Sequence, residues 1–280
     1  MKLAVVTALA ALALAGCSPL DESDLRRLAL PPAASDRSIY MWDLWLGTWI
    51  AVLVTFVLVF AMIMYAPIRY RRKHADEGAP PQIRYNLPLE ALYTIAPVIV
   101  VAVFFFHTVE SQNAQLRVVE DPDHTIEVVG SKWQWTFNYL DGANGETVYD
   151  QGDTSRLPEL WLPVDESVKF DLVSPDVIHS FWVPEFYFKM DVVPGKIPGK
   201  EGPNTFTMTP NREGTFIGRC AELCGVYHSR MLFKVRVVSK ADYEDHLADL
   251  AEAGQVGRPQ GGAVANTVAG MGDGESEPED

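Results

Sequence analysis

Two thiols, an imidazole and a thioether fall within twelve residues of this 280-residue chain: Cys220-Ala221-Glu222-Leu223-Cys224-Gly225-Val226-Tyr227-His228-Ser229-Arg230-Met231. The pattern is C-x3-C-x3-H-x2-M. All four are soft or borderline donors, the set that suits copper. A single blue copper takes one Cys, two His and a weak Met. The second Cys invites a second metal, which two thiolates could bridge if a distant His joined them. Two other readings stay open. A disulfide is the default for a Cys pair in an exported domain, but it has no use for His228 or Met231. A closed Cys2His2 zinc site would leave Met231 unused and serve structure alone.

The distant imidazole is chosen from six histidines. His179 follows Pro175-Asp176-Val177-Ile178 and precedes Ser180-Phe181-Trp182-Val183-Pro184, where a loop enters a strand and can present a side chain at the end of a sandwich. A second unusual run is Trp133-Gln134-Trp135-Thr136-Phe137-Asn138-Tyr139. Alternating aromatics on a strand are usually packing, but an exposed Trp near a metal can carry electrons.

These residues must be positioned by a fold. Short alternating runs cover 124–130, 132–139, 159–163, 167–174, 177–183, 205–209, 215–219 and 231–238, separated by Asp-Gly, Asn-Gly and Pro-Gly breaks. That spacing predicts an all-β sandwich or Greek-key barrel over 109–240. A short helix is expected over 241–253, then a disordered Gly/Ala-rich and acidic tail over 254–280. Residues 108–280 carry 14 Lys/Arg against 29 Asp/Glu, an acidity that steers basic partners. There is no Gly-rich phosphate loop, no Ser/His/Asp nucleophile set and no basic patch for nucleic acid.

Ahead of this domain, the chain reads as membrane-bound. Lys2, the apolar run Leu3–Ala15 and Leu14-Ala15-Gly16-Cys17 read as a signal peptide (1–16) ending in a lipoprotein box, with Cys17 the lipid-modified residue. A polar, Pro-containing tether follows over 17–40. Leu44–Ala66 is free of charge and long enough to span a bilayer, closed by Pro67. A second span runs from Leu87 to His107, with Glu90 about one turn inside it, either an interfacial carboxylate or a functional one. The two form a transmembrane hairpin over 41–108. Arg69, Arg71, Arg72, Lys73 and Arg84 between the spans predict a cytoplasmic loop. The lipidated N-terminus and the C-terminal domain then lie on the outer face of a bacterial plasma membrane.

Taken together, Trp42 to Ser239 resembles subunit II of haem–copper (aa3-type) cytochrome c oxidase, in a form similar to the actinobacterial lipoprotein type. S-P-D-V-I-H-S-F-W-V-P and C-A-E-L-C-G-V-Y-H-S-R-M carry the resemblance. It implies a cupredoxin-like domain holding a mixed-valence dicopper (CuA) centre. Cys220 and Cys224 would bridge both coppers; His179 and Met231 would complete one, His228 and the Glu222 carbonyl the other. The Glu222 carboxylate would bind Mg or Mn at the face shared with subunit I. Trp133 would receive electrons from cytochrome c, Glu90 would stand at a proton-path mouth, and the haem would lie in subunit I, where oxygen is reduced.

The chain departs from the family where Ser131-Lys132-Trp133-Gln134-Trp135 replaces H-Q-W-Y-W: Gln134 takes the place of an aromatic. Lys189, Lys196 and Lys200 also lend local positive charge, which points to a donor such as the membrane-held cytochrome c domain of a bc complex. The competing functional reading is an exported metal-binding lipoprotein, a copper chaperone or a structural zinc site.

Overall fold

The computed structural model describes residues 24, 26–71, 82–142, 145–152, 156–195 and 202–261. The signal peptide, Cys17, most of the basic loop, Lys196, Lys200 and residues 262–280 lie outside them.

Helix α1 spans Ser38–Arg69 and α2 spans Leu87–Gln115. Both are long and apolar enough to cross a membrane. The uncharged 23 residues of α1 alone give about 34 Å of helix. The apolar runs understate both helices. Pro67 does not close α1: it forfeits the one N–H bond it would have made four residues back, and the helix continues for two more residues, with Tyr70 N still donating to Ala66 O at 2.9 Å. Helix α2 runs past His107 to Gln115, where the Arg37 guanidinium caps the end, donating to the free carbonyl of Ala114 at 2.6 Å and, just beyond the helix, to Arg117 O at 3.3 Å.

Ten strands follow: β1 His124–Ser131, β2 Gln134–Tyr139, β3 Val148–Gln151, β4 Glu159–Pro163, β5 Val168–Val173, β6 His179–Val183, β7 Phe188–Val192, β8 Asn204–Met208, β9 Gly214–Cys220 and β10 Leu232–Val238. They form two five-stranded sheets, ordered β3-β2-β1-β5-β8 and β4-β10-β9-β6-β7. Only β1–β5 and β10–β4 pair in parallel among these neighbours. The expected sandwich is present, with β3 and β7 added. Its core is aromatic: Trp135, Phe137, Phe170, Phe181, Phe206 and Phe233 are all buried. Fully burying such a side chain contributes about 1.5–3 kcal/mol. Packing is close enough to demand a glycine on β9, since a Cβ at Gly218 would lie 2.0 Å from the Phe233 ring. Helix α3, Lys240–Glu252, is capped by Ser239 and buries Tyr243, Leu247 and Leu250.

Two terminal segments differ from expectation. The tether does not hang free between residues 31 and 38. Ala34 is buried and bonds to Glu185 O and Asn211 N; Asp36 N donates to Thr209 O. Arg212 donates to the carbonyls of Pro32 and Ala33, and Ser35 Oγ to that of Phe186. The tail is also not loose from 254: Gly257 N donates to Thr147 O, and Arg258 and Gln260 both reach the buried Glu127 carboxylate on β1. In each case polar backbone and charged groups find long-range partners that local composition does not reveal.

Candidate metal centre

The centre forms at one end of the second sheet. His179 opens β6, Cys220 closes the adjacent β9, and Phe181 pairs with Cys220 across the two strands. Cys224 and His228 lie in the β9–β10 connection, His228 opening a single 3-10 turn, His228–Arg230. Met231 precedes β10. The loop is tied at both ends, Cys220 N donating to Met231 O at 3.0 Å and Ala221 N to Ser180 O at 3.0 Å. His179, Cys220, Cys224 and Met231 are buried, while Glu222 is exposed.

The donor atoms converge. The two thiols are free, with Sγ atoms 3.8 Å apart. Cys220 Sγ lies 3.9 Å from His179 Nδ1 and 3.2 Å from the Glu222 carbonyl. Cys224 Sγ lies 3.6 Å from His228 Nδ1 and 3.8 Å from Met231 Sδ. Tetrahedral donors about 2.0–2.3 Å from one ion sit about 3.3–3.8 Å from each other, so this spacing fits metal ligation. His179, Cys220 and Cys224 form a group whose donor atoms all lie within 4.8 Å of one another; His228 is not part of it. Each thiol thus has its own imidazole.

The electrostatics favour thiolate. The hydrogen bond from Cys224 holds the Cys220 thiol far below its ordinary pKa, helped by His179, while donating that bond pushes Cys224 up. Burial alone would lower the His179 pKa, but its hydrogen bonds to Cys220 and Asp176 leave it raised. Without a cation the pair therefore shares one proton and carries one negative charge, and a cation between the sulfurs would be what drives off the second proton.

Three neighbours were not singled out from sequence. Asp176 contacts His179 Nε2 at 2.9 Å, fixing the ring from behind. Trp135 Nε1 donates to Met231 O at 3.3 Å and its ring meets His179 edge-on. Tyr227 packs against Trp133. An Asp three residues before a ligand His, and an aromatic next to another, were the available signals.

Trp133 lies in the two-residue turn between β1 and β2, half-buried, its indole N–H donating to the Cys224 carbonyl at 3.2 Å. Glu90 is remote, near the start of α2, where its carboxylate accepts from Asn86 N at 2.9 Å while Asn86 Oδ1 accepts from Leu89 N. This is a reciprocal helix cap.

Residues 124–238 match the family model described as cytochrome c oxidase subunit II, periplasmic domain. A probable cytochrome c oxidase subunit 2 of Streptomyces avermitilis is 42% identical, with 89% of this chain and 86% of that protein covered. The cytochrome c oxidase subunit 2 of Mycobacterium tuberculosis is 31% identical, with 88% and 81% covered. The crystal structure of the periplasmic domain of the Bradyrhizobium japonicum subunit II is 27% identical, covers 49% of this chain and 99% of that one, and gives a TM-score of 0.41. From these relatives, matched over most of both chains, the chain belongs to the cytochrome c oxidase subunit 2 family and is the electron-transfer subunit of a terminal oxidase.

Proposed function

We propose that the centre is a dicopper (CuA) site which takes electrons from cytochrome c, received at Trp133, and passes them to haem in subunit I. The observation that carries this is the placement of the two imidazoles. His179 and His228 flank the thiol pair separately, and Met231 and the Glu222 carbonyl fill one further position each. A single zinc would need all four Cys and His donors around one point, and His228 stands apart from the compact group.

Bound there, two coppers supply a one-electron store whose geometry changes little between its states. The chain does the rest. Cys220, Cys224, His179 and His228 would hold the coppers, and Met231 would tune more than it holds. Trp135, Phe181 and the sheet beneath exclude water from the sulfur side. Asp176 keeps Nδ1 of His179 aimed inward.

Further roles belong to the same reading. The exposed Glu222 carboxylate binds Mg or Mn where subunit I docks. Glu90 serves a proton path at the cytoplasmic side. Cys17 carries lipid, and the domain stands on the outer face of the plasma membrane. The donor is a cytochrome c, membrane-held or soluble.

Copper analysis with electron paramagnetic resonance tests this. Two coppers per chain with one unpaired electron spread over both is the expected result. One copper, a localised signal or stoichiometric zinc would overturn it. In Cys220→Ser the shared-electron signal is lost.

A further inference from the structure

The family resemblance leads to an aromatic at position 134, and the chain has Gln134 there. The fold supplies a ring from elsewhere. Tyr227, the residue before His228, meets Trp133 edge-to-face, with centroids 5.1 Å apart and planes at 76°. The Arg230 guanidinium lies 5.7 Å from the Tyr227 centroid. Gly225 leaves the space the indole occupies: a Cβ there would sit 3.1 Å from Trp133 Cζ2, at a φ of +122°. The indole N–H reaches the Cys224 carbonyl at 3.2 Å. Residues 224, 225 and 227 of one loop thus fix the ring.

We propose that Tyr227 is a positioning residue that holds the Trp133 indole on the Cys224 carbonyl, so that electrons cross to the centre through this hydrogen bond without an aromatic at position 134. The inference rests on the reading of Trp133 as the electron-receiving residue. Tunnelling falls steeply with every through-space gap, and a hydrogen bond is a shorter gap than a van der Waals contact. The rate therefore depends on the orientation of one ring in a two-residue turn. Tyr227 supplies the lateral support that the turn lacks. In the step, a c-type haem loses one electron and the metal centre gains it. Trp133 and Tyr227 start and finish neutral, and no bond or proton changes place.

The test uses the intact oxidase with Tyr227→Leu, Tyr227→Phe and Trp133→Leu, under saturating oxidised cytochrome c. It follows the first-order rise of the reduced centre after flash reduction of the donor, the copper resonance spectrum, and Trp fluorescence of the metal-free chain. Tyr227→Leu is expected to slow electron arrival several-fold and shift indole emission, with the copper spectrum unchanged. Tyr227→Phe restores most of the rate. A Tyr227→Leu rate equal to wild type, with Trp133→Leu slow, overturns the role of Tyr227 alone. A wild-type rate in Trp133→Leu overturns the reading beneath it. A perturbed copper spectrum in both Tyr227 variants would mean that Tyr227 builds the ligand loop and does not steer the indole, which also overturns the proposal.

Discussion

Asp176 holds His179 from the side away from the metal centre: its Oδ1 lies 2.9 Å from Nε2, which turns Nδ1 toward Cys220 at 3.9 Å. The other carboxylate oxygen accepts from Lys132 N at 2.7 Å, in the turn that carries Trp133. One carboxylate thus sets a ligand and the turn beside it. Asp176→Ala is expected to weaken copper binding by about 10–100-fold, as loss of such a partner does elsewhere. Chelator competition checks this; unchanged affinity would mean that packing against Trp135 suffices to hold the ring.

Met231 is buried with its sulfur 3.8 Å from Cys224. Met231→Leu keeps the volume, so the fold should lose less than about 1.5 kcal/mol. Copper stays bound, and the reduction potential rises, because the more highly charged state loses a donor and gains an apolar neighbour. Potentiometry decides; loss of copper would show that the thioether holds more than it tunes.

Glu90 has a structural use at the start of α2, accepting from Asn86 N. A Gln side chain can accept the same bond, so Glu90→Gln separates the cap from the charge. The helix should persist and the copper spectrum stay intact, while turnover coupled to proton uptake slows. Unchanged turnover would leave Glu90 a cap and nothing more.

His246 on α3 stacks on Trp161 at 4.2 Å, and its Nε2 has no partner among the described residues. Burial depresses its pKa; the carboxylates of Asp150, Glu159 and Asp249 oppose this, and Arg236 reinforces it. A histidine held neutral by folding binds fewer protons than in the unfolded chain. Its contribution is therefore complete above the ordinary value of about 6.5 and is lost as pH falls below it. Protease protection of α3 should drop between neutral and mildly acidic pH. His246→Phe, which keeps the stack, should flatten that dependence.

The site was more legible than its supports. Cys220, Cys224, His228 and Met231 lie within one loop, and a spacing of three or four residues keeps donors together whatever the surrounding fold. His179 required a topological guess, that its strand neighbours the loop, and β6 does pair with β9. Strand β7, Phe188-Lys189-Met190-Asp191-Val192, does alternate apolar and polar residues, but over only five positions directly after the Pro184–Phe186 turn, a run too short to stand apart from its neighbour. The docking of Ala34 and of Arg258 depends on partners more than a hundred residues away, at Glu185 and Glu127, which no local pattern encodes. Tyr227 became visible only when the β1–β2 turn was laid beside the metal loop.

The segment ahead of α1 also imposes an order in time. Ala34 and Asp36 bond to Glu185, Thr209 and Asn211, residues synthesised long after both helices. The chain therefore leaves the contacts of Ala34 and Asp36 open until both helices and most of the sandwich have been made. Only then can residues 34 and 36 be bonded to the sandwich, tying the segment ahead of α1 to the β domain. The bonds of Ala34 and Asp36 are therefore among the last that the order of synthesis allows to form, although they belong to the start of the chain's described part.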